Sequence, residues 1–267
     1  MNETVEKLIK NIKDIPAMPN VVIKALNIVK DPASSIKELG DIIACDQALS
    51  IKTLNLVNSA YYGFSQQISS IPRALSLLGM NKTKNIIIAV AMKPMFSSGT
   101  NKNLWKHSIT TAVGCEFISE HLGIRDCEEA FVIGFIHDIG KTILNMQDKE
   151  IVEKIKEYVD SGSDIIEAED VFFNTNHTEV GAELARKWQL PLLLTNVIKY
   201  HHNPIMSSMP VECSLVYLVD KLVQDNLHTE TINKEFIENL NIKLDKPEVL
   251  REGILNKAKI ILDELSN

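Results

Sequence analysis

The 267-residue sequence predicts an all-α fold, and three observations carry that expectation. Apolar residues recur at helical spacing along nearly every segment. Capping and stop signals are frequent. The one run that β-branched content could make a strand, Ile86-Ile87-Ile88-Ala89-Val90-Ala91-Met92, has no second strand candidate nearby to pair with it, so it reads as a buried helix.

Taken in order, Ser35-Ile36-Lys37-Glu38 is a capping box that opens a short helix. Asp46 caps the next, whose apolar face carries Leu49, Leu54 and Val57 and which ends at Asn58-Ser59-Ala60-Tyr61-Tyr62-Gly63. Pro72 suits the first turn of a helix through Leu78, and Gly79 fits the left-handed position just past its end. A longer helix holds the Ile86–Met92 run. The small and polar stretch Ser97-Ser98-Gly99-Thr100-Asn101 marks a boundary, which divides the chain into an N-terminal helical subdomain (1–100) and a second helical subdomain (101–267). In the second part, segment 102–121 ends before Gly123. Asp126-Cys127-Glu128-Glu129 caps a helix that reaches His137, Pro191 opens one that runs into His201-His202, and Val211–Gln224 forms another. No internal repeat or low-complexity tract interrupts the pattern.

Composition excludes several classes. A hydrophobic content of 45% with 24% charged residues belongs to a globular chain. With 28 Lys and Arg against 35 Asp and Glu, the net charge of −7 argues against a general nucleic-acid binder, which needs a basic face. The longest apolar run is far short of a membrane span, and Met1-Asn2-Glu3-Thr4-Val5-Glu6-Lys7 lacks an export signal, so the chain is placed in the cytoplasm. Cysteines 45, 115, 127 and 213 have no C-x-x-C spacing and read as small buried hydrophobes.

The chemistry lies in the placement of histidines and aspartates. His107 sits inside one helix, His137-Asp138 closes an apolar one, His177 precedes another, His201-His202 ends a further one, and Asp220 interrupts Leu218-Val219-Asp220-Lys221-Leu222. A carboxylate among apolar residues needs a cation, a donor network or a wet cleft. Singly, each histidine reads as a helix-end or core residue bonded to a carbonyl, and His121 and His228 are assigned that role. Jointly, mixed imidazole and carboxylate donors suit one or two divalent ions such as iron, manganese, zinc or nickel, and a hydrolytic centre with open positions better than a closed structural one. Adjacent residues on a helix point about 100° apart, so His137 and Asp138 can serve one centre only where the helix opens, and Gly140 is expected to supply that ending.

Phe135-Ile136-His137-Asp138-Ile139-Gly140-Lys141, with His107 before it and Asp220 after it, resembles the signature of the HD superfamily of metal-dependent phosphohydrolases. Six further stretches resemble, in order, the stations of the HDOD domain of bacterial signalling proteins: Ile15–Pro19, Leu54–Gly63, Ile71–Gly79, Leu104–Ser108, His177–Ala182 and Trp188–Pro191. The resemblance implies a multi-helix HD-superfamily fold with an additional N-terminal helical subdomain, and a role in bacterial signal transduction. It does not imply catalysis, because HDOD domains are generally regarded as output or scaffolding modules. It implies that His107, His137, Asp138, His177, His201, His202 and Asp220 are metal ligands and that Lys141 can face a substrate phosphate.

Two departures disfavour cyclic di-GMP as substrate. The histidine pair is followed by Asn203-Pro204-Ile205-Met206 instead of an acidic and Gly-Tyr-Pro stretch, and Asn103 stands where some of those enzymes carry a ligating Glu one turn before the first histidine. The expectation is a non-catalytic or vestigial signalling module that retains the metal site and meets a signalling-protein partner through its N-terminal half. The alternative is a metal-dependent phosphohydrolase of a nucleotide or other phosphoester, with Asp138 and Lys141 in catalytic roles and a phosphate-containing ligand at the centre.

Overall fold

The computed structural model describes residues 17–96, 102–124, 129–147, 149–224, 232–244 and 246–266. Among them every regular element is a helix, and no helix is long and apolar enough to cross a membrane. From Met18 onward the chain forms two compact units. One comprises Met18–Pro94 together with Val249–Asn267, and the other comprises Met95–Glu248.

The first unit opens with α1 (Asn20–Lys30), α2 (Ile36–Ala44) and α3 (Gln47–Val57). Their starts follow local chemistry. The Glu38 carboxylate accepts a hydrogen bond from the Ser35 backbone N–H at 2.8 Å, and Asp46 accepts from the Leu49 N–H at 3.0 Å. Leu49 and Val57 are buried as expected, but Leu56 fills the core where Leu54 is only half-buried. Ala25, Leu39, Ile43, Leu49, Leu75 and Ile87 form the core of this unit.

Next, α4 (Ile71–Phe96) is two helices joined at Gly79, whose φ of +74° and ψ of 179° lie in a region that glycine alone occupies readily. A Cβ added there would touch nothing within 4 Å, so the glycine serves the backbone and not the packing. The expected helix over Ile86–Met92 is present, with Ile86, Ile87, Ile88, Ala89 and Met92 buried.

The last helix, α14 (Pro247–Ser266; α5 to α13 follow), falls with residues 18–94 over nearly all its length, on the other side of the division read at residue 100. Its buried residues Ile254, Ala258, Ile261 and Leu265 form a stripe that needs a partner face. Lys52 and Lys93 both donate to the Leu265 carbonyl, at 3.1 and 2.6 Å, satisfying an acceptor that a helix end leaves open.

The second unit contains α5 (Lys102–Leu122), α6 (Ala130–Ile136), α7 (Ile139–Leu144), α8 (Lys149–Asp160), α9 (Ile165–Phe173), α10 (His177–Lys187), α11 (Leu192–Tyr200), α12 (Pro210–Val223) and α13 (Lys234–Glu238). Every residue of α6 is buried, and α5, α11 and α12 pack around it. Gly134 makes this possible: a Cβ there would stand 2.7 Å from the Thr111 carbonyl oxygen of α5. Pro191 opens α11 as expected, and α12 starts one residue before the expected Val211 because Pro210 takes its first position.

Two sequence expectations need correction, and four features lie outside the described residues. Gly140 does not end a helix. It lies inside α7, and the chain opens instead at Asp138, whose φ of −97° and ψ of 14° break the path between α6 and α7. Cys115 and Cys213 are buried, but Cys45, the residue that closes α2, is exposed. The Ser97–Asn101 break, the Asp126-Cys127-Glu128 part of the proposed cap, Ile15-Pro16 and His228 lie outside the described residues.

Candidate metal centre

Five structural positions in the second unit deliver the sequence-derived residues to one place. His107 comes from the first turns of α5. His137 closes α6 and Asp138 precedes α7, which carries Lys141. His177 is the first residue of α10, His201 closes α11 with His202 beside it, and Asp220 comes from α12. The side chains divide into two triads. The Nε2 atom of His107 lies 3.3 Å from His137 Nε2 and 3.0 Å from Asp220 Oδ1. His177 Nε2 lies 3.4 Å from His201 Nε2 and 3.2 Å from His202 Nε2. Asp138 stands between them: Oδ2 is 3.4 Å from His107 and 3.3 Å from His137, while Oδ1 is 3.3 Å from His177 and 3.6 Å from His201.

Packing sets this arrangement. A Cβ on Gly140 would stand 1.9 Å from the His177 carbonyl oxygen, and one on Gly181 would stand 2.7 Å from Ile198 Cγ2 and 3.0 Å from the Gly140 nitrogen. Without side chains at these two positions, α7, α10 and α11 approach closely enough for Asp138 to meet both His177 and His201.

The imidazoles are oriented from behind. His137 Nδ1 donates to the Gly134 carbonyl at 2.8 Å and His201 Nδ1 to the Ile198 carbonyl at 3.0 Å. His177 Nδ1 meets a carboxylate, Glu169 Oε2, at 2.6 Å. A neutral ring that donates through Nδ1 turns a lone pair outward at Nε2. The Nε2 atoms of His137, His177 and His201 are therefore acceptors turned into the cluster, those of His177 and His201 3.4 Å apart, and Asp138 Oδ1 is buried with no hydrogen-bond partner. Lone pairs gathered this way repel unless a cation lies among them.

The spacings fit such a cation. Two donors each about 2.1 Å from a shared ion stand about 3.0 Å apart at a right angle and about 3.4 Å apart at the tetrahedral angle. The close contacts of each triad fall at that spacing, 3.0 and 3.3 Å from His107 to Asp220 and His137 and 3.2 and 3.4 Å from His177 to His202 and His201, while His137 and Asp220 stand 3.8 Å apart. The residues present thus fit one divalent ion per triad, with Asp138 shared between them.

The electrostatics of the donor set point the same way. Burial alone would raise Asp138, but the His137 imidazole and the Lys141 ammonium beside it hold its carboxyl well below the usual range. Burial would also raise Asp220, and the hydrogen bond and charge of His107 lower it instead. Burial pushes His201 down, and His177 and His202 well down, keeping them neutral and able to donate lone pairs. Lys141 donates to Asp138 Oδ2 at 2.7 Å. Burial would lower its pKa, but Asp138 outweighs burial and raises it, so the ammonium stays charged. His107 and Lys141, with side chains 27% and 26% exposed, form the accessible side of the cluster. Asn103, one turn before His107, is exposed.

Glu169 is the residue that sequence reading missed. It sits on the stripe formed by Ile165, Ala168, Glu169 and Phe172 of α9, and a carboxylate on the apolar face of a helix was the available signal. Burial pushes its pKa up to about 7.

The sequence pattern of the HDOD domain family matches residues 15–204. The fold matches the crystal structure of an HDOD domain protein of unknown function from Geobacter sulfurreducens with a TM-score of 0.85 at 22% identity, over 98% of this chain and 97% of that one. An uncharacterised protein of Treponema pallidum is 25% identical over 204 residues, which is 72% of this chain and 38% of that protein. The cyclic di-GMP phosphodiesterase CdgJ of Vibrio cholerae is 31% identical over 115 residues, 43% of this chain and 26% of that protein. The chain thus matches well under half the length of these two curated relatives.

Proposed function

The chain belongs to the HDOD domain family, and we propose that it is a regulatory module of bacterial signal transduction whose second unit holds a centre of two divalent ions. One observation carries this reading: Asp138 directs one carboxylate oxygen at His107 and His137 and the other at His177 and His201, at 3.3 to 3.6 Å. In this role the ions tie together α5, α11, α12 and the α6–α7 and α9–α10 connections, so that ion binding adds to folding free energy. The N-terminal helices then meet the signalling partner.

The second reading is a metal-dependent phosphohydrolase of a nucleotide or other phosphoester, favoured by the completeness of the donor set and by a charged Lys141 on its accessible side. Divalent ions held there attract phosphate oxygens and lower the pKa of bound water. Lys141 would neutralise charge on the phosphate, and Asp138 would keep the two triads in register. The departures at Asn103 and at Asn203-Pro204-Ile205-Met206 direct this reading away from cyclic di-GMP.

Two measurements separate the readings. Elemental analysis of the purified protein is expected to find iron, manganese, zinc or nickel, and a chelator is expected to lower the melting temperature of the native chain but not that of His137→Ala. Ions present at 1,000 times their Kd contribute about 4 kcal/mol, so the shift is readily measured. Absence of metal with unchanged stability refutes the centre. Metal-loaded protein is then tested on phosphomonoesters and cyclic nucleotides: turnover abolished by Asp138→Ala with the fold intact establishes the enzyme, and silence with metal bound supports the regulatory module.

A further inference from the structure

Glu169 belongs to none of the motifs that carry the family resemblance, yet it makes the shortest polar contact to a ring of the cluster. Its Oε2 accepts from His177 Nδ1 at 2.6 Å and from the His177 backbone N–H at 2.7 Å. Glu169 and His177 are 4% and 0% exposed. The backbone N–H is one of the orphan donors of the first turn of α10, so one oxygen fixes both where that helix starts and how its first side chain is turned.

The adjoining residues brace the same turn. Asn174 takes a left-handed conformation with φ +55°. Asn176 caps α10 by accepting from the Thr178 and Glu179 N–H groups and donates through Nδ2 to Asp170 Oδ1 at 3.0 Å. Asp170 thus holds the turn while its neighbour Glu169 holds the ring. The contrast with the other buried rings is chemical. His137 and His201 rest on neutral carbonyls, whereas His177 rests on a carboxylate, the outer partner that fixes the tautomer and makes the facing nitrogen a stronger donor.

We infer that Glu169 is a positioning residue that holds His177 as an Nε2 donor and thereby sets the affinity of the His177–His201–His202 triad for its ion, leaving the His107–His137–Asp220 triad untouched. This rests on the two-ion reading above. The asymmetry follows from reach, since Glu169 bonds to His177 and the other triad is anchored through Gly134 and Asp220.

The test uses the full chain stripped of metal and titrated with Co²⁺, read by calorimetry for stoichiometry and affinity and by the visible absorption of the bound ion. The native chain is expected to bind two ions, and His202→Ala identifies the one held by the second triad. Glu169→Gln is isosteric and keeps an acceptor oxygen while losing the charge. Glu169→Ala loses both, and carboxylate partners of ligating histidines typically change affinity about 10- to 100-fold. The expected result is that Glu169→Gln weakens only the ion that His202→Ala removes and alters only its spectrum, Glu169→Ala weakens it further, and Glu169→Asp restores part of the loss. If both ions weaken equally, the role is merely structural and the inference falls. If Glu169→Gln binds both as the native chain does, the inference falls while the two-ion reading stands. If the native chain binds no ion, both fall.

Discussion

Gly140→Ala perturbs the fold and the candidate centre at a single point. The added Cβ would stand 1.9 Å from the His177 carbonyl oxygen and 2.7 Å from the Gly181 nitrogen, whereas ordinary contact begins near 3.4 Å. Both obstacles are backbone atoms of α10, so no rotamer change relieves them, and α7 and α10 must separate by about 1.5 Å. Overpacking of a filled interior costs about 1–3 kcal/mol, and a clash with backbone belongs at the upper end. At about 2–4 °C per kcal/mol for a chain of this size, a cost of about 3 kcal/mol lowers Tm by about 6–12 °C. Because Asp138 and His177 sit on the two sides of the widened contact, the second triad also loses register with Asp138. Thermal denaturation followed by circular dichroism, with metal content measured on the same samples, checks both effects. A Gly140→Ala protein melting within about 2 °C of the native chain refutes the claim that this contact holds α7 against α10.

Two further predictions concern titration and thiol chemistry. Burial holds His177, His201 and His202 below the usual imidazole value, so their folded pKa values lie below the unfolded value near 6.5. Their stability contribution is therefore complete above that pH and lost as pH falls through it, at about 1.4 kcal/mol per pH unit for each proton taken up on unfolding. Urea denaturation of metal-free protein at pH 7, 6 and 5 is expected to show falling stability with a shallower slope in His202→Gln, and a flat profile refutes it. Cys45 is exposed while Cys115 and Cys213 are buried, with burial pushing the Cys213 thiol up to about 12. Alkylation followed by peptide mapping is expected to modify Cys45 in the folded protein and Cys115 and Cys213 only on unfolding, and rapid modification of Cys213 contradicts the packing of α12.

Much of the fold was legible because its determinants are local. The Asp46 cap and the Ser35–Glu38 pair depend on residues three apart and the positive φ of Gly79 on that residue alone, and each follows from the chemistry of those residues. The Ile86–Met92 run was assigned to helix by the lack of a pairing partner, and it is helical and buried. Local reasoning failed where a residue serves a distant neighbour. Gly140 looked like a helix terminator because glycine commonly is one, yet its lack of a side chain serves the approach of α10, thirty-seven positions further on. Cys45 looked buried on the habit of its type, but its place at the end of α2 turns it to solvent. The last helix carries an apolar stripe that does not name its partner face.

The order of side chains along the chain determined which donors were available: imidazoles and carboxylates at 107, 137, 138, 177, 201, 202 and 220, and an ammonium at 141. Helix periodicity and capping, being interactions within one or two turns, also belong to the chain itself. Only tertiary structure decided that His107 and Asp220, 113 positions apart, lie 3.0 Å from each other, that Asp138 faces both triads, and that Glu169 backs His177. The reason is that these separations are set by the contact distances between helices, which depend on where a glycine leaves room and how buried faces interlock, and no interaction between near neighbours in the chain encodes them.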